Sequence, residues 1–256
     1  MSRTKIRLGN LNIRSLCVEG KLDDLKYVVE HRKIEILCLE ETWHMSSKSR
    51  VITEMRKIPH WTVVEKARPI TADSLGRLKH GGGVGIVSTQ PDISVSKIGF
   101  HFHSTEFEHV VGRVECNGHQ SFVLVVLYRP GGSKLKPQFF EDLRLLLEKA
   151  SNLHLEIVLA GDVNICMNFS NSTSTLDFLD VVEMFDLSQH VRSPTHEAGN
   201  TIDVLCTSRN RNCLKVQVAD VGLSDHFLIL WSLPLLDATS SAGPDKGRKR
   251  PLSDGH

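Results

Sequence analysis

The chain has 256 residues, enough for one large domain with a sizeable core, since single α/β or β-rich domains commonly reach about 200–250 residues. Its hydrophobic fraction of 40% and charged fraction of 24% are ordinary for a soluble globular protein. The 31 basic and 30 acidic residues leave a net charge of +1, which excludes a polycation that binds nucleic acid over its whole surface. Any nucleic-acid binding therefore requires a local basic patch.

The first half of the chain predicts one helix and six strands. Residues 5–12 alternate as in a strand, and residues 21–33 place leucines and valines at helical spacing. The continuous apolar run at 34–40 is typical of a buried strand. Further strands are predicted, with little between them, at 83–88, 93–98, 107–116 and 121–128.

The second half predicts two helices and four strands. Residues 137–150 carry apolar side chains on one helical face, with Pro137 suited to the first turn. A buried strand at 156–161 precedes the second helix at 174–187. Three more strands are predicted at 201–208, 214–220 and 226–233.

About ten strands that partly alternate with helices and partly follow one another do not fit a doubly wound sheet. They predict a four-layer α/β sandwich, in which two mainly antiparallel or mixed sheets pack face to face with helices outside. We expect one domain over residues 1–235. Residues 236–256 have the composition of a disordered basic tail. Its basic residues are typical of a nuclear-import signal or equally of a solvated tail: Lys246, Arg248, Lys249 and Arg250.

Polar side chains recur at the ends of the predicted strands, where a sheet presents side chains to a cleft. The set comprises Asn12, Glu41, Tyr128, Asp162, Asn164, Asp203, Asp225 and His226. Singly, each has an ordinary interpretation as a surface or turn residue. Asp203 is the exception, because a carboxylate inside an apolar strand needs a partner, and His226 is the natural one. Together they form a set suited to a divalent metal and a phosphodiester.

Two stretches are candidates for contact with a nucleic acid. The segment from His44 to His80 has an excess of basic residues around Trp61, although ordinary surface charge explains this as well. The 189–200 loop (Gln189 to Asn200) offers His190, Arg192 and His196, although it also fits a plain surface connection.

The cellular compartment is indicated by what the sequence lacks. The six cysteines form no CxxC pair, and we expect small buried side chains in a reducing compartment. No charged-then-apolar leader opens the sequence, and no apolar run approaches ~18 residues. We therefore expect an intracellular protein that neither enters a membrane nor is secreted.

In this order, the motifs LNIRSL, LEETW, LYRP, AGDVN, NTIDVL and LSDH resemble those of the endonuclease/exonuclease/phosphatase superfamily, from Asn12 to about Leu233. LNIRSL, the Tyr-Arg-Pro after a strand and PTHEAGNTIDVL are most similar to the apurinic-endonuclease-like domain of non-LTR (LINE-type) retrotransposons. In abasic-site repair enzymes of this superfamily an acidic residue usually stands two positions after the first asparagine. Arg14 occupies that position here, which weakens the case for abasic-site repair.

The resemblance implies a role for each residue. Glu41 is the expected Mg²⁺ ligand, with Asn12 beside it and Asp225 as a weaker candidate ligand. Tyr128 faces the phosphate, and His226, oriented by Asp203, donates to it. Asp162, positioned by Asn164, either activates water or protonates the leaving group.

The implied function is a Mg²⁺-dependent endonuclease that nicks duplex DNA and leaves a 3′-hydroxyl, with Mn²⁺ as a substitute metal. We expect a nuclear, monomeric protein whose partner reverse transcriptase or RNA lies outside this chain. Alternatives within the fold are a repair nuclease, an RNA deadenylase or a phosphatase. A catalytically silent binding module is a further alternative. The clustered carboxylates argue against it, because without a catalytic role they would only destabilise the protein.

Overall fold

The computed structural model describes residues 3–68, 71–72, 78–79, 81–132, 134–209 and 214–238. Within these ranges, two six-stranded sheets form the centre of the protein. The first sheet contains, in spatial order, β13 (Leu214–Ala219), β14 (Leu228–Pro234), β1 (Lys5–Asn12), β2 (Ile36–Glu40), β6 (Val84–Ser88) and β3 (Thr62–Lys66). The second contains β11 (Leu187–Gln189), β12 (Asp203–Ser208), β10 (Glu156–Asp162), β9 (Phe122–Tyr128), β8 (Glu108–Cys116) and β7 (Ile93–Lys97).

The described helices are α1 (Lys21–Arg32), α2 (Arg50–Met55), α3 (Pro137–Ser151) and α4 (Thr173–Glu183). Two short strands, β4 (Thr71–Ala72) and β5 (Leu78–Lys79), pair with each other outside the main sheets. None of the described helices is long and apolar enough to cross a bilayer.

Each main sheet has one parallel pair at its centre and antiparallel neighbours around it. In the first sheet β1 and β2 run parallel, and α1 connects them along the chain. In the second sheet β9 and β10 run parallel, with α3 between them in sequence. Parallel strands need such crossovers, because a tight turn can only reverse the chain direction. The carboxyl ends of β1 and β2 therefore lie together at one end of the first sheet, and those of β9 and β10 at one end of the second. The candidate site is formed at these ends.

Three hydrophobic cores hold the four layers together. The inner core lies between the sheets and includes Trp231 and Phe122. One outer core packs α1 and α2 against the first sheet, with Leu25 among its fully buried side chains. The other packs α3 and α4 against the second sheet through Phe139 and Phe178. The α/β sandwich predicted from the strand pattern is thus confirmed.

The regular elements missed by the sequence interpretation are short. They comprise α2, β3, β11 and the β4–β5 pair. Helix α2 has six residues and β11 has three, so neither contains enough periods to stand out in a local pattern. Strand β3 forms by pairing with β6, β11 by pairing with β12, and α2 by packing Val51, Ile52 and Met55 into the outer core of the first sheet.

The predicted tail from 236 onward is described only as far as residue 238. There the backbone pairs with the β8–β9 turn, since Gln120 N donates to Leu236 O and Ala238 N donates to Gly118 O. Residues 239–256, including the basic cluster, lie outside the described residues. The division at residue 235 and the disordered tail remain predictions.

Candidate active site

The polar residues singled out in the sequence meet at one end of both sheets. Asn12 and Glu40 are neighbours at the ends of β1 and β2. Tyr128 and Asp162 are neighbours at the ends of β9 and β10. Asp203 begins β12 directly opposite Asp162, because β12 runs antiparallel to β10. The two sheets together therefore bring these side chains to one site.

Glu41 is held by three side-chain donors. Its Oε1 accepts from Asn12 Nδ2 at 3.1 Å and from the Tyr128 hydroxyl at 2.8 Å. Its Oε2 accepts from the indole Nε1 of Trp43 at 3.1 Å. Glu41 itself has a φ of +49°, a left-handed conformation rarely adopted by non-glycine residues except in such constrained sites. The carboxylate is thereby fixed in one orientation.

Tyr128 is a hydrogen-bond donor at this position. Burial, followed by the charge of Glu41 and the hydrogen bond to it, raises the pKa of Tyr128 far above its ordinary range. The phenol therefore keeps its proton at any pH at which the protein works. It can donate to a carboxylate or to a phosphate oxygen, but not accept as a phenolate.

Asp162 is fully buried and accepts three hydrogen bonds. The backbone N of Asn164 donates to its Oδ1 at 2.9 Å, while Asn164 Nδ2 at 3.0 Å and Asn12 Nδ2 at 2.9 Å donate to its Oδ2. Burial, and then the negative charge of Asp203, raises the pKa of Asp162 well above its usual range. A carboxylate with a raised pKa is suited to take up a proton near neutral pH.

The glycine of the GDVN motif explains how β10 presents this aspartate. Gly161 has a φ of +140°, and a Cβ there would lie 1.9 Å from the carbonyl oxygen of Leu127 on β9. Only glycine permits so close an approach of the two strands.

His226 and Asp203 form the pair expected from the sequence. His226 Nδ1 lies 2.9 Å and 3.1 Å from the two carboxylate oxygens of Asp203, and both residues are buried. Its Nε2 lies 3.8 Å from Asp162 Oδ2. Burial alone would lower the pKa of His226, but the hydrogen bond to Asp203 and the charges of Asp203 and Asp162 raise it to about 9. The imidazole is therefore a cation at neutral pH.

Asp225 lies beside His226, and one of its carboxylate oxygens and one ring nitrogen each of His196 and His226 lie within 4.8 Å of one another. Its Oδ2 forms an ion pair with the guanidinium of Arg14 and lies 3.2 Å from His196 Nε2. Burial would raise the pKa of Asp225, but the charges of Arg14 and His226 lower it. Its buried Oδ1 has no hydrogen-bond partner among the described residues. Arg14 thus occupies, as a cation, the position where related repair enzymes are expected to carry an acid.

The donor set fits a divalent cation with hard oxygen ligands. Burial and then the charges of Asp203, Asp162 and Glu41 raise the pKa of Glu40, as burial and Asp203 do for Asp162, while His226 is the cation beside them. Glu40 is fully buried, and only a hydrogen bond from the Asn10 side chain acts to lower its pKa. Such an excess of negative charge is unfavourable unless protons or a cation offset it. Glu41, whose position is fixed, is the best-placed ligand for Mg²⁺.

The 189–200 loop exposes fewer basic side chains for contact with a nucleic acid than the sequence indicated. His190 Nε2 is bound to Thr207 Oγ1 at 2.8 Å, and His196 packs edge-to-face on His226 with 4.8 Å between ring centroids. The hydroxyl of Thr195 accepts from the backbone N of Asp203. Of the three basic candidates in the loop, only Arg192 is exposed. Part of the loop therefore packs against His226 and holds the backbone of Asp203 in place.

The basic segment from His44 to His80 is largely paired within the described part of the chain. Arg50 and Arg56 form ion pairs with Glu54 and Glu65. Arg68 pairs with Glu108 and lies over the Tyr128 ring, with 5.6 Å to its centroid. The side chains of residues 69–80 lie outside the described residues.

Sequence reasoning missed several residues that shape the site: Arg14 as the partner of Asp225, and also Glu40, Trp43 and Arg68. Trp43 could have been predicted to lie near the site, since it stands two positions after Glu41 in LEETW. Glu40 was indistinguishable from a surface carboxylate. Arg68 lies on no regular element, and only the fold brings it to Tyr128.

Comparison with known proteins relates the chain to one family. The profile of the Endonuclease/Exonuclease/phosphatase family matches residues 9–226. No curated protein sequence matches significantly. Many solved structures share the fold. One is the endonuclease domain of TRAS1, a telomere-specific non-LTR retrotransposon, at 15% identity over 90% of this chain and 99% of that one, with a TM-score of 0.64.

Two further structures show the same architecture. The human Nocturnin catalytic domain, solved with a bound sulfate anion, is 14% identical over 91% of this chain and 94% of that one, with a TM-score of 0.66. The 3′ phosphatase NExo from Neisseria, bound to a product DNA hairpin, is 17% identical over 89% and 99%, with a TM-score of 0.65. At such identities the likeness establishes the fold alone.

Proposed function

Because the chain belongs to the Endonuclease/Exonuclease/phosphatase family, we propose that it is a Mg²⁺-dependent endonuclease that nicks duplex DNA and leaves a 3′-hydroxyl, as retrotransposon endonucleases do. The observation that carries this proposal is the convergence of Glu41, Asp162 and His226 in one cleft, each held by its own hydrogen bonds. The fold shared with the TRAS1 endonuclease domain and the motifs most similar to LINE-type endonucleases support the choice of DNA.

Asp162 is the proposed general base. The backbone and side chain of Asn164 and the side chain of Asn12 all donate to its carboxylate, so its oxygens have a fixed direction. Its raised pKa allows it to take a proton from the attacking water.

His226 is the proposed donor to a non-bridging phosphate oxygen. Asp203 holds Nδ1, which leaves Nε2 directed toward the cleft near Asp162. A cationic imidazole in this position stabilises the charge that develops on the phosphate oxygens, and its orientation is fixed before the reaction begins. Tyr128, which keeps its proton, supplies a second donor.

Mg²⁺ bound at Glu41, with Asp225 as a weaker candidate ligand, would neutralise phosphate charge and stabilise the leaving oxygen, and Mn²⁺ would substitute for it. The protein's own contribution is to hold the Glu41 carboxylate through Asn12, Tyr128 and Trp43. We further propose that the protein acts as a monomer in the nucleus, with a reverse transcriptase or RNA partner supplied by another chain or segment.

The decisive experiment compares substrates. Purified protein is incubated with supercoiled plasmid, abasic duplex, poly(A) RNA and a phosphoinositide, each in Mg²⁺ and in EDTA, beside Glu41→Ala. We expect Mg²⁺-dependent nicking of the plasmid, with ends that a DNA polymerase extends. Faster turnover of one of the other three substrates would replace the proposal with that activity. Binding without turnover of any substrate would identify a catalytically silent module.

A further inference from the structure

The indole of Trp43 takes part in the proposed chemistry only through its N–H, and its ring face has no role there. Its Nε1–H edge is bound to Glu41 Oε2 at 3.1 Å, but the side chain remains 37% exposed. The backbone of Trp43 has a φ of +56°, a strained conformation for a bulky residue. The fold thus holds a large, partly exposed aromatic ring directly beside the proposed metal ligand.

Trp43 lines a groove of about 910 Å³, which we call the Trp43 groove. The loop after β1 contributes Leu16, Cys17 and Val18 to the lining, and Met45 lines the same groove. Val18 and Met45 are 56% and 58% exposed. Large apolar side chains with such exposure next to a polar cleft are typical of a binding surface.

The charges around the groove indicate which part of a nucleic acid would fit. The lining includes three acidic residues and two basic ones: Glu19, Asp23 and Glu54 against Lys26 and Arg50. Arg50 already pairs with Glu54 at 2.7 Å. A phosphate would thus meet a neutral to slightly negative surface. A nucleobase, which is flat and uncharged, matches the apolar walls and avoids this repulsion.

Resting on the proposed function, we propose that the Trp43 groove binds an unpaired nucleobase of the nucleotide next to the scissile phosphate. The base stacks on the indole while its phosphate lies at Glu41. Stacking on an aromatic side chain is tolerant of base identity, because every base has a π-face. The substrate class that follows is duplex DNA that is locally opened at the cut, such as a bubble or a frayed end.

Two variants separate the two roles of the indole. Trp43→Phe keeps an aromatic face but removes the N–H that binds Glu41. Trp43→Ala removes both. Tyr27→Ala is the matched control, since Tyr27 is an aromatic residue on α1, 66% exposed and outside the groove lining. Circular dichroism of each variant verifies that it is folded.

Binding is measured by fluorescence anisotropy with a fluorescein-labelled single-stranded 12-mer, a duplex with a central bubble and a fully paired duplex. The protein carries Asp162→Asn so that the probe stays intact. We expect the bubble to bind more tightly than the paired duplex, and Trp43→Ala to weaken bubble binding about tenfold, the scale of one lost base–aromatic stack. Trp43→Phe should weaken it less than threefold, and Tyr27→Ala should leave it unchanged.

A scan with one abasic residue moved along the bubble strand identifies the stacked base. Removing that base should weaken binding by the wild-type indole about tenfold but leave Trp43→Ala unaffected, since the two changes delete the same contact. Equal losses with and without the indole would overturn the proposal. So would a paired duplex that binds as tightly as the bubble.

The same proteins with Asp162 restored are assayed for nicking, which separates the two proposals. If the protein nicks DNA but base removal weakens binding equally with and without Trp43→Ala, the groove assignment is wrong and the endonuclease proposal is supported. Base-dependent binding without nicking supports the groove and overturns the endonuclease. Absence of both binding and nicking overturns both proposals, whereas nicking without binding to any probe overturns the groove assignment alone.

Discussion

Asp162 and Asp203 lie directly opposite each other on the antiparallel pair β10–β12, and both are buried. His226 joins them, since its Nδ1 is bound to Asp203 at 2.9 Å and its Nε2 lies 3.8 Å from Asp162. Two carboxylates thus share one imidazolium, which lowers the cost of burying them but leaves the Asp162 pKa raised. The register of two strands therefore decides the protonation behaviour of the site.

The first prediction concerns Glu41. Glu41→Ala and Glu41→Gln should lower nicking at low Mg²⁺ by about 10²-fold or more, because the change removes the carboxylate that Asn12, Tyr128 and Trp43 hold at the proposed metal position. Plasmid nicking and calorimetric Mg²⁺ titration measure the effect. Glu30→Gln, at an exposed glutamate of α1, is the control. Activity of the wild type in EDTA would exclude a metal mechanism.

The second prediction is that Asp203 and His226 act as one unit. Each single alanine variant should lower turnover by about 10²-fold, and the double variant should be little worse than either one. Asp162→Ala should also lose about 10²-fold. Single-turnover rates in a double-mutant cycle measure the coupling. Losses that multiply would show that the two residues contribute independently.

The third prediction is the titration of His226 in the metal-free protein. Its pKa should be about 9, against an ordinary value of 6.5, because Asp203 and Asp162 favour the cation. Asp203→Asn removes one of these charges and should shift the midpoint to lower pH. NMR titration measures this, with the His226 signal identified by its loss in His226→Gln. A midpoint at or below 6.5 in the wild type would contradict the assignment.

The sign of the related stability effect follows from linkage. Because the folded protein holds this proton more tightly than the unfolded chain, the stabilisation from His226 is fully present below pH 6.5. It is lost as the pH rises through about 9. Urea denaturation of the metal-free protein between these pH values should show the loss, and His226→Gln should reduce it.

The fourth prediction concerns target choice by the 189–200 loop. Exchanging the whole loop would also remove Thr195, which holds the backbone of Asp203. The exchange is therefore confined to the exposed residues 192–194 and 197–199. We expect the preferred nick sites to move while Mg²⁺ dependence stays, since base contacts specify and phosphate contacts position. Sequencing nick positions on a long duplex tests this, and an unchanged spectrum would remove the loop from specificity.

The fifth prediction concerns Gly161. Gly161→Ala should destabilise the fold by about 3 kcal/mol, the upper part of the range for overpacking, because the added Cβ would meet the Leu127 carbonyl at 1.9 Å. Gly99→Ala is the matched control, since a Cβ there would meet nothing within 4 Å. Thermal unfolding of both variants gives the comparison. Similar melting temperatures would contradict this prediction and show that the β9 and β10 backbones shift apart at little cost.

The sequence alone determined the regular elements with clear periodicity and the polar residues at their ends. Strand and helix patterns are local properties, so the long elements from β1 to β14 were predicted near their observed bounds. The expected partnership of Asp203 and His226 also followed from local patterns, a carboxylate within a predicted apolar strand and a histidine at the start of another. The roles assigned to the individual site residues remain predictions.

Tertiary structure decided which strand ends meet and what fills the space between them. Asn12 and Asp162 are 150 residues apart in the chain, yet they form a hydrogen bond because β1 and β10 belong to two sheets that pack face to face. The pairing of Arg14 with Asp225, the burial of Glu40 and the exposed indole of Trp43 depend on that packing. A local pattern carries no information about such contacts, because the same residue types fit a solvated surface equally well.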